Sequence, residues 1–208
     1  EVLVDTTRQL GFGQTTGSRG TLMVAASVQN ACQLALAAGC TADVDHYAEH
    51  VVDWTQKLGD PDVPNPTIHS AFGYAAQVVV ADPATGAIEK VVAIHDVGKA
   101  VNPLLCEGQI EGSVHMGLGY ALTEDFPSDE RGFPVPTTLR QLGILRAKDV
   151  PPIEVELVEV PQPRSAYGIK GVGEIGLVPT AAAVAAALHM ADGQWRSTLP
   201  MRRDAADV

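Results

Sequence analysis

The sequence predicts an α+β fold, a mixed sheet with β-hairpins packed against helices. Three observations predict it: two apolar runs of strand length flank a DPATG turn, residues 153–160 alternate apolar and acidic, and several segments carry apolar residues at helical spacing. No regular strand–helix–strand alternation surrounds them, which argues against a doubly wound sheet. In order, residues 1–6 read as a short strand and GFGQTTGSRG (11–20) as a glycine-rich polar loop. A helix is expected from Thr21, with Leu22, Ala25, Ala26, Val28, Ala31, Cys32, Ala35 and Leu36 on its apolar side, Ser18 or Thr21 as N-cap, and Gly39 as terminator. Residues 41–57 fit either a helix or a strand, because Val44, Tyr47, Val51 and Trp54 are spaced helically while HVVDWT suits a strand. GDPDVPNP (59–66) is loop by composition.

Residues 73–96 are expected to form a β-hairpin closed by DPATG. Asn102-Pro103 opens a second helix, with proline in its first turn and a stripe of Leu105, Ile110, Val114, Leu118 and Leu122. Gly108, Gly112, Gly117 and Gly119 interrupt it, each at about 1 kcal/mol relative to alanine. So many glycines point to close approach by a backbone or a ligand. Residues 125–138 form a polar loop, IEVELVEV (153–160) a half-exposed strand, and Leu177–Met190 an Ala-rich helix opened by Pro179-Thr180.

Composition excludes several functions. The 208 residues carry 14 Lys+Arg against 25 Asp+Glu, a net charge of -11, which leaves no basic footprint for nucleic acid or for an acidic membrane surface. Aromatics at 5% argue against a base-stacking platform. No apolar stretch is long enough for a membrane span. Cys32, Cys40 and Cys106 make no disulfide framework and no iron–sulfur spacing, as in a reduced, cytoplasmic protein; Cys32 is expected to be buried. The opening EVLVDTT lacks a signal-peptide pattern and reads as a strand entered midway, as in a fragment, a processed chain or a split subunit.

Three places suit chemistry. The loop 11–20 before a helix offers backbone N–H groups, the hydroxyls of Thr15, Thr16 and Ser18, and the Arg19 cation to an anion; the bland alternative is a capped helix behind a flexible loop. It is neither a Walker A loop nor a dinucleotide fingerprint. AYGIKGVGEIG (166–176) sets Glu174 among glycines before an apolar helix, as a general base against a ligand or as a carboxylate complementing the helix dipole. HDVGKAVNP with GQIEG places Gln109 and Glu111 on a glycine-rich helix, for cofactor contact or for surface hydrogen bonding. His95 and His115 are read as structural, and Asp45, His46 and His50 as a solvated helical face.

The runs GQTTGSRG, AFGYAAQVVV, IHDVGKAVNP, EGQIEGSVHMGLGYALTEDF and AYGIKGVGEIGLVPTAAAVAAAL, in this order, resemble the molybdenum-binding subunit of the xanthine dehydrogenase and aldehyde oxidase family. The resemblance covers nearly the whole chain and falls in the C-terminal part of that subunit. DWTQKLG, GYALTEDFP and RSTLP are most similar to xanthine dehydrogenases of the selenium-dependent type. It implies that residues 1–208 are the second half of a molybdopterin-binding region, a span compatible with two subdomains meeting near 60–70. It implies that Glu174, after Gly173, stands beside the molybdenum. There it would be the general base in oxidation of an electron-poor C–H of a purine-like heterocycle or aldehyde, with water-derived oxygen. It implies pterin and pyrophosphate contacts from Gly13, Gln14, Thr15, Thr16, Gly17, Ser18 and Arg19, close pterin approach at Gly171, Val172 and Gly173, and a further contact from Gln109. The implied cofactor is molybdopterin or its cytosine dinucleotide form, with iron–sulfur and FAD on other domains or subunits.

The family's upstream domain and first molybdenum-binding domain have no counterpart in these residues. The isolated chain is therefore expected to be inactive. Its implied partners are the remainder of the molybdenum subunit and the iron–sulfur and flavin subunits, with homo-oligomerisation left open. Two rivals belong to other classes: a non-catalytic binding or assembly module that retains the fold, and an unrelated nucleotide-binding domain using the 13–19 loop.

Overall fold

Alternating burial and a local turn make the first pair of strands. In a computed structural model that describes residues 15–41 and 43–201, β1 (Ala75–Ala81) and β2 (Ile88–Asp96) pair antiparallel. Asp82 closes the hairpin as an Asx turn: its Oδ1 accepts from the Ala84 and Thr85 amides at 2.8 and 2.6 Å. A register shift falls between Val80 and Ala81. β3 (Ile153–Val158) then adds to β2 in parallel, giving the order β1-β2-β3. The pairing of β2 with β3 across a helix makes one strand–helix–strand crossover inside the expected mixed sheet.

The crossover helix, α2 (Pro103–Leu122), starts as the sequence predicts: Asn102 is the N-cap, its Oδ1 accepting from the Leu105 amide at 3.2 Å. Ile110, Val114 and Leu118 are fully buried, while Leu105 of the expected stripe is exposed. Leu105 sits in the first turn, where the buried stripe has not yet begun. α3 (Thr180–Asp192) ends at Gly193 in the left-handed conformation. α2 packs on β3 and α3, and α3 packs on β1, so both helices cover one side of the sheet. At their contact, a Cβ on Gly117 would come within 2.5 Å of the Thr180 side chain. Gly119 is crowded by Glu124, whereas Gly108 and Gly112 have nothing within 4 Å among the described residues. The interior is completed by Val91 and Ala93 of β2 and Val184 and Leu188 of α3. These elements belong to one compact unit, Tyr74–Asp96, Asn102–Val158 and Val172–Val208.

The other unit comprises the described part of Glu1–Gly73 together with Val97–Val101 and Glu159–Gly171. Its helix α1 (Gly20–Ala37) ends in a Schellman motif: the Gly39 amide bonds to Leu36 O at 3.0 Å and Cys40 N to Ala35 O at 2.9 Å. Gly39 ends the helix as expected, with φ +80°. The N-cap is Arg19, with no side-chain cap, rather than Ser18 or Thr21. Positive φ at Gly17 and Ser18 keeps Ser18 off the cap position, and Thr21 already lies inside the helix. Only Leu22 and Ala26 of α1 are buried, and Cys32, on its outer side, is exposed rather than packed.

The described residues of 41–74 form neither the helix nor the strand that the 41–57 spacing allows, and Asp45, His46 and His50 therefore share no helical face. Arg164 stacks over Trp54 at 5.7 Å in this unit. The Lys99 ammonium and the Ala100 amide (2.7 Å) both bind Glu159, which lies below its ordinary carboxylate pKa because of these bonds, Lys99 first. Among the described residues, no helix is long and apolar enough to cross a membrane. The short strand expected at 1–6 lies outside the described residues.

Candidate functional site

The predicted site residues fall into two groups, one in each unit. In the first, Thr15 to Arg19 form the approach to α1, with the Arg19 amide bonded to Thr16 O at 3.4 Å. Gly17 (φ +59°) and Ser18 (φ +56°) are left-handed and Arg19 is right-handed, so successive N–H groups turn toward a common side. Among the described residues no side chain caps this helix N-terminus, whose dipole end favours an anionic group. Gly171 lies against this loop: a Cβ there would meet Ser18 O at 2.9 Å and Gly17 O at 3.1 Å. Only glycine lets the two backbone segments approach so closely. Gly13 and Gln14 lie outside the described residues.

In the second group, Glu174 is exposed on a run of turns, residues 173–179, that leads into α3. Its carbonyl accepts from the Leu177 amide at 3.1 Å. Gly176 presses on α2: a Cβ there would overlap the Ser113 hydroxyl and lie 3.2 Å from Ile110 O. The Glu174 turn therefore packs on the stretch of α2 next to Gln109, which is exposed between the open Gly108 and Gly112. Val172 and Gly173 are half-buried and join the two groups along the chain.

Gln77, which the sequence leaves outside the expected site, and His95, read there as structural, lie directly beneath this turn. Gln77 occupies an inward position of β1 and His95 an inward, fully buried position of β2. The register pairs Gln77 with Ala93 and Ala75 with His95, so the two side chains are diagonal neighbours on one face. Gln77 Nε2 donates to Gly176 O at 2.7 Å and lies 3.5 Å from His95 Nε2. A carbonyl only accepts, so the amide nitrogen must face Gly176. The second amide N–H is then on the side of His95 Nε2, whose role as donor or acceptor depends on the imidazole tautomer. Thr180 Oγ1 donates to the same Gly176 oxygen at 2.9 Å. The sequence signal was available: in the strand AAQVVVA a glutamine takes an inward place where an apolar residue is the norm.

His95 is structural, as its isolation in the sequence indicates. Burial pushes its pKa below the ordinary 6.5, because an imidazolium there would lose its hydration. On acidification below about pH 6.5 the unfolded chain takes up this proton first, so stability is full above that pH and declines below it. Thermal unfolding between pH 7.5 and 5.5 should show a falling Tm, with a shallower slope in His95→Gln. Equal slopes in both proteins would remove His95 as the cause.

His115 is also structural, with Nε2 at 2.9 Å from Leu145 O. Cys32, Cys40 and Cys106 form no disulfide among the described residues. Among the described residues no group of three His, Cys, Asp or Glu is placed to hold a metal ion directly.

The molybdopterin cofactor-binding domain family matches residues 36–151. The xanthine dehydrogenase molybdenum-binding subunit of Escherichia coli O157:H7 is 39% identical over 119 residues, covering 55% of this chain and 15% of that protein. The nicotine 6-hydroxylase large subunit of Paenarthrobacter nicotinovorans is 36% identical over 129 residues, covering 61% of this chain and 16% of that protein. Among solved structures, the aldehyde oxidoreductase of Desulfovibrio gigas superimposes with a TM-score of 0.76 and 25% identity, over 91% of this chain and 23% of that one. The alignments with the two curated relatives thus span only 15 to 16% of their length.

Proposed function

Because the chain belongs to the molybdopterin cofactor-binding domain family, we propose that it contributes pterin contacts and the general base to a molybdenum hydroxylase. The observation that carries this reading is the Glu174 turn, seated on α2 beside Gln109 with the carboxylate exposed. The residues fit such a cofactor. Gly171 is a position where any Cβ would close the backbone cradle against Ser18, and the α1 N-terminus, with no side-chain cap among the described residues, suits a pyrophosphate.

The cofactor, when bound, supplies a metal centre that accepts two electrons from the substrate carbon. The N–H groups and hydroxyls of Thr15, Thr16, Gly17 and Ser18, with the Arg19 cation, bind the anionic end of the pterin, whether plain or as the cytosine dinucleotide. Gly13 and Gln14, which precede these residues in the sequence, are assigned the same role. Gly171, Val172 and Gly173 admit the pterin to the backbone, and Gln109 bonds its edge. Glu174 would accept the proton of the water-derived oxygen as that oxygen bonds to the electron-poor carbon, whose hydrogen would leave with the electron pair that the cofactor takes up. A purine-like heterocycle or an aldehyde suits this chemistry, in line with the xanthine, nicotine and aldehyde enzymes named among the relatives.

The remainder of a molybdenum subunit and iron–sulfur and flavin partners complete the enzyme, in the cytoplasm, and the chain alone does not turn over. Elemental and pterin analysis of the assembled protein should find molybdenum and pterin in near-equal amounts. An assembly with neither would favour the non-catalytic module.

A further inference from the structure

We propose that Gln77 is a positioning residue for Glu174, holding the turn that carries the carboxylate through its bond to the Gly176 carbonyl. This rests on the general-base reading of Glu174 and deepens it. Four elements meet at Gly176. Gln77 comes from β1 and donates to its oxygen at 2.7 Å. Thr180 comes from the first turn of α3 and donates to the same oxygen at 2.9 Å. α2 blocks the opposite side, where Ser113 and Ile110 O fill the space a Cβ would need. β2 supplies His95, whose Nε2 lies 3.5 Å from the Gln77 nitrogen and aligns the amide.

The result is a carbonyl with both lone pairs used and no room to shift. Glu174 is two residues upstream, and its own carbonyl is tied forward to Leu177 at 3.1 Å. The exposed carboxylate therefore stands on a turn whose far end is fixed from inside the sheet. A base must lie within hydrogen-bond reach of its proton, and a displacement of about 1 Å can cost about a hundredfold in rate. A glutamine at an inward strand position otherwise brings only desolvation. Its place here is explained by the bond it makes to a backbone that a β-strand neighbour could not reach.

The test uses the assembled enzyme and three variants. Gln77→Met keeps the length of the side chain and removes the donor. Thr180→Val removes the second donor to the same oxygen, and Glu174→Gln reports on the base itself. For Gln77→Met, kcat per bound molybdenum should fall about tenfold with KM and metal content within about twofold. Hydrogen exchange at the Leu177 amide should accelerate about tenfold, while amides of the β1–β2 ladder stay protected. Because both donors act on one carbonyl, the double variant should lose less than the product of the single losses.

The inference is overturned if Gln77→Met leaves both kcat per molybdenum and Leu177 exchange unchanged. It is also overturned if activity falls only in step with metal content. Loss of the underlying reading is a separate result, seen when Glu174→Gln turns over like the unmodified enzyme; the exchange experiment still reports on the turn in that case.

Discussion

Glu174→Gln in the assembled enzyme is expected to lower kcat per bound molybdenum by about 10²–10⁴-fold, with cofactor content unchanged. The amide is nearly isosteric with the carboxylate but cannot take up a proton. The residue is exposed on its turn, so the nearly isosteric substitution opens no cavity in the interior. Its backbone bond to Leu177 survives in either residue. Folding and metal loading therefore act as internal controls, and the loss should appear in kcat rather than in KM. Turnover within about tenfold of the parent would remove Glu174 from the chemistry.

Gly98→Ala is expected to destabilise the unit built on α1 by about 3 kcal/mol or more. Gly98 has φ +67° and bridges Ile169. A Cβ at this position would meet Gly168 O at 2.5 Å, Lys170 N at 2.8 Å and the Ile169 carbonyl carbon at 2.9 Å. All three are backbone atoms, in strands of chain fixed by the bonds Lys99 N to Gly168 O (2.9 Å) and Lys170 N to Val97 O (3.1 Å). None can swing away as a side chain would. Gly59 is the matched control, since it has φ +82° but nothing within 4 Å among the described residues. Gly59→Ala should cost only the left-handed strain, about 1–2 kcal/mol. Urea unfolding of the two variants separates crowding from strain, and equal losses would contradict the crowding argument.

What could be read from the sequence was local. DPATG closes its hairpin through Asp82, and Asn102 caps α2 ahead of Pro103, because turn and cap chemistry sit within four residues. The parallel pairing of β2 with β3 was not legible, since it joins residues some sixty apart through a helix. Residues 41–57 misled because helical spacing stabilises a helix only when its apolar face is buried, and Val44, Tyr47 and Val51 stay exposed. Cys32 misled in the same way, through apolar neighbours on a helix that buries only its inner edge.

At the candidate site, Glu174 and the 15–19 loop stood out by their glycines, whose purpose the Gly171 and Gly176 contacts now explain in packing terms. Gln77 and Thr180 were overlooked because their work is done at a backbone atom nearly a hundred residues from Gln77, on a partner no pattern names.

The interleaving of the two units also constrains how the chain is made. The unit containing α1 takes its last segment from Glu159–Gly171, and the sheet unit takes its last from Val172–Val208. Neither can be completed while the ribosome is still translating the middle of the chain. At about 5–20 residues per second, α1 waits on the order of ten seconds for the segment that carries Ala166 and Ile169. During that interval Leu22 and Ala26 have no finished interior to enter, which makes this helix a natural client for a holding chaperone and a poor place to cut the chain for separate expression.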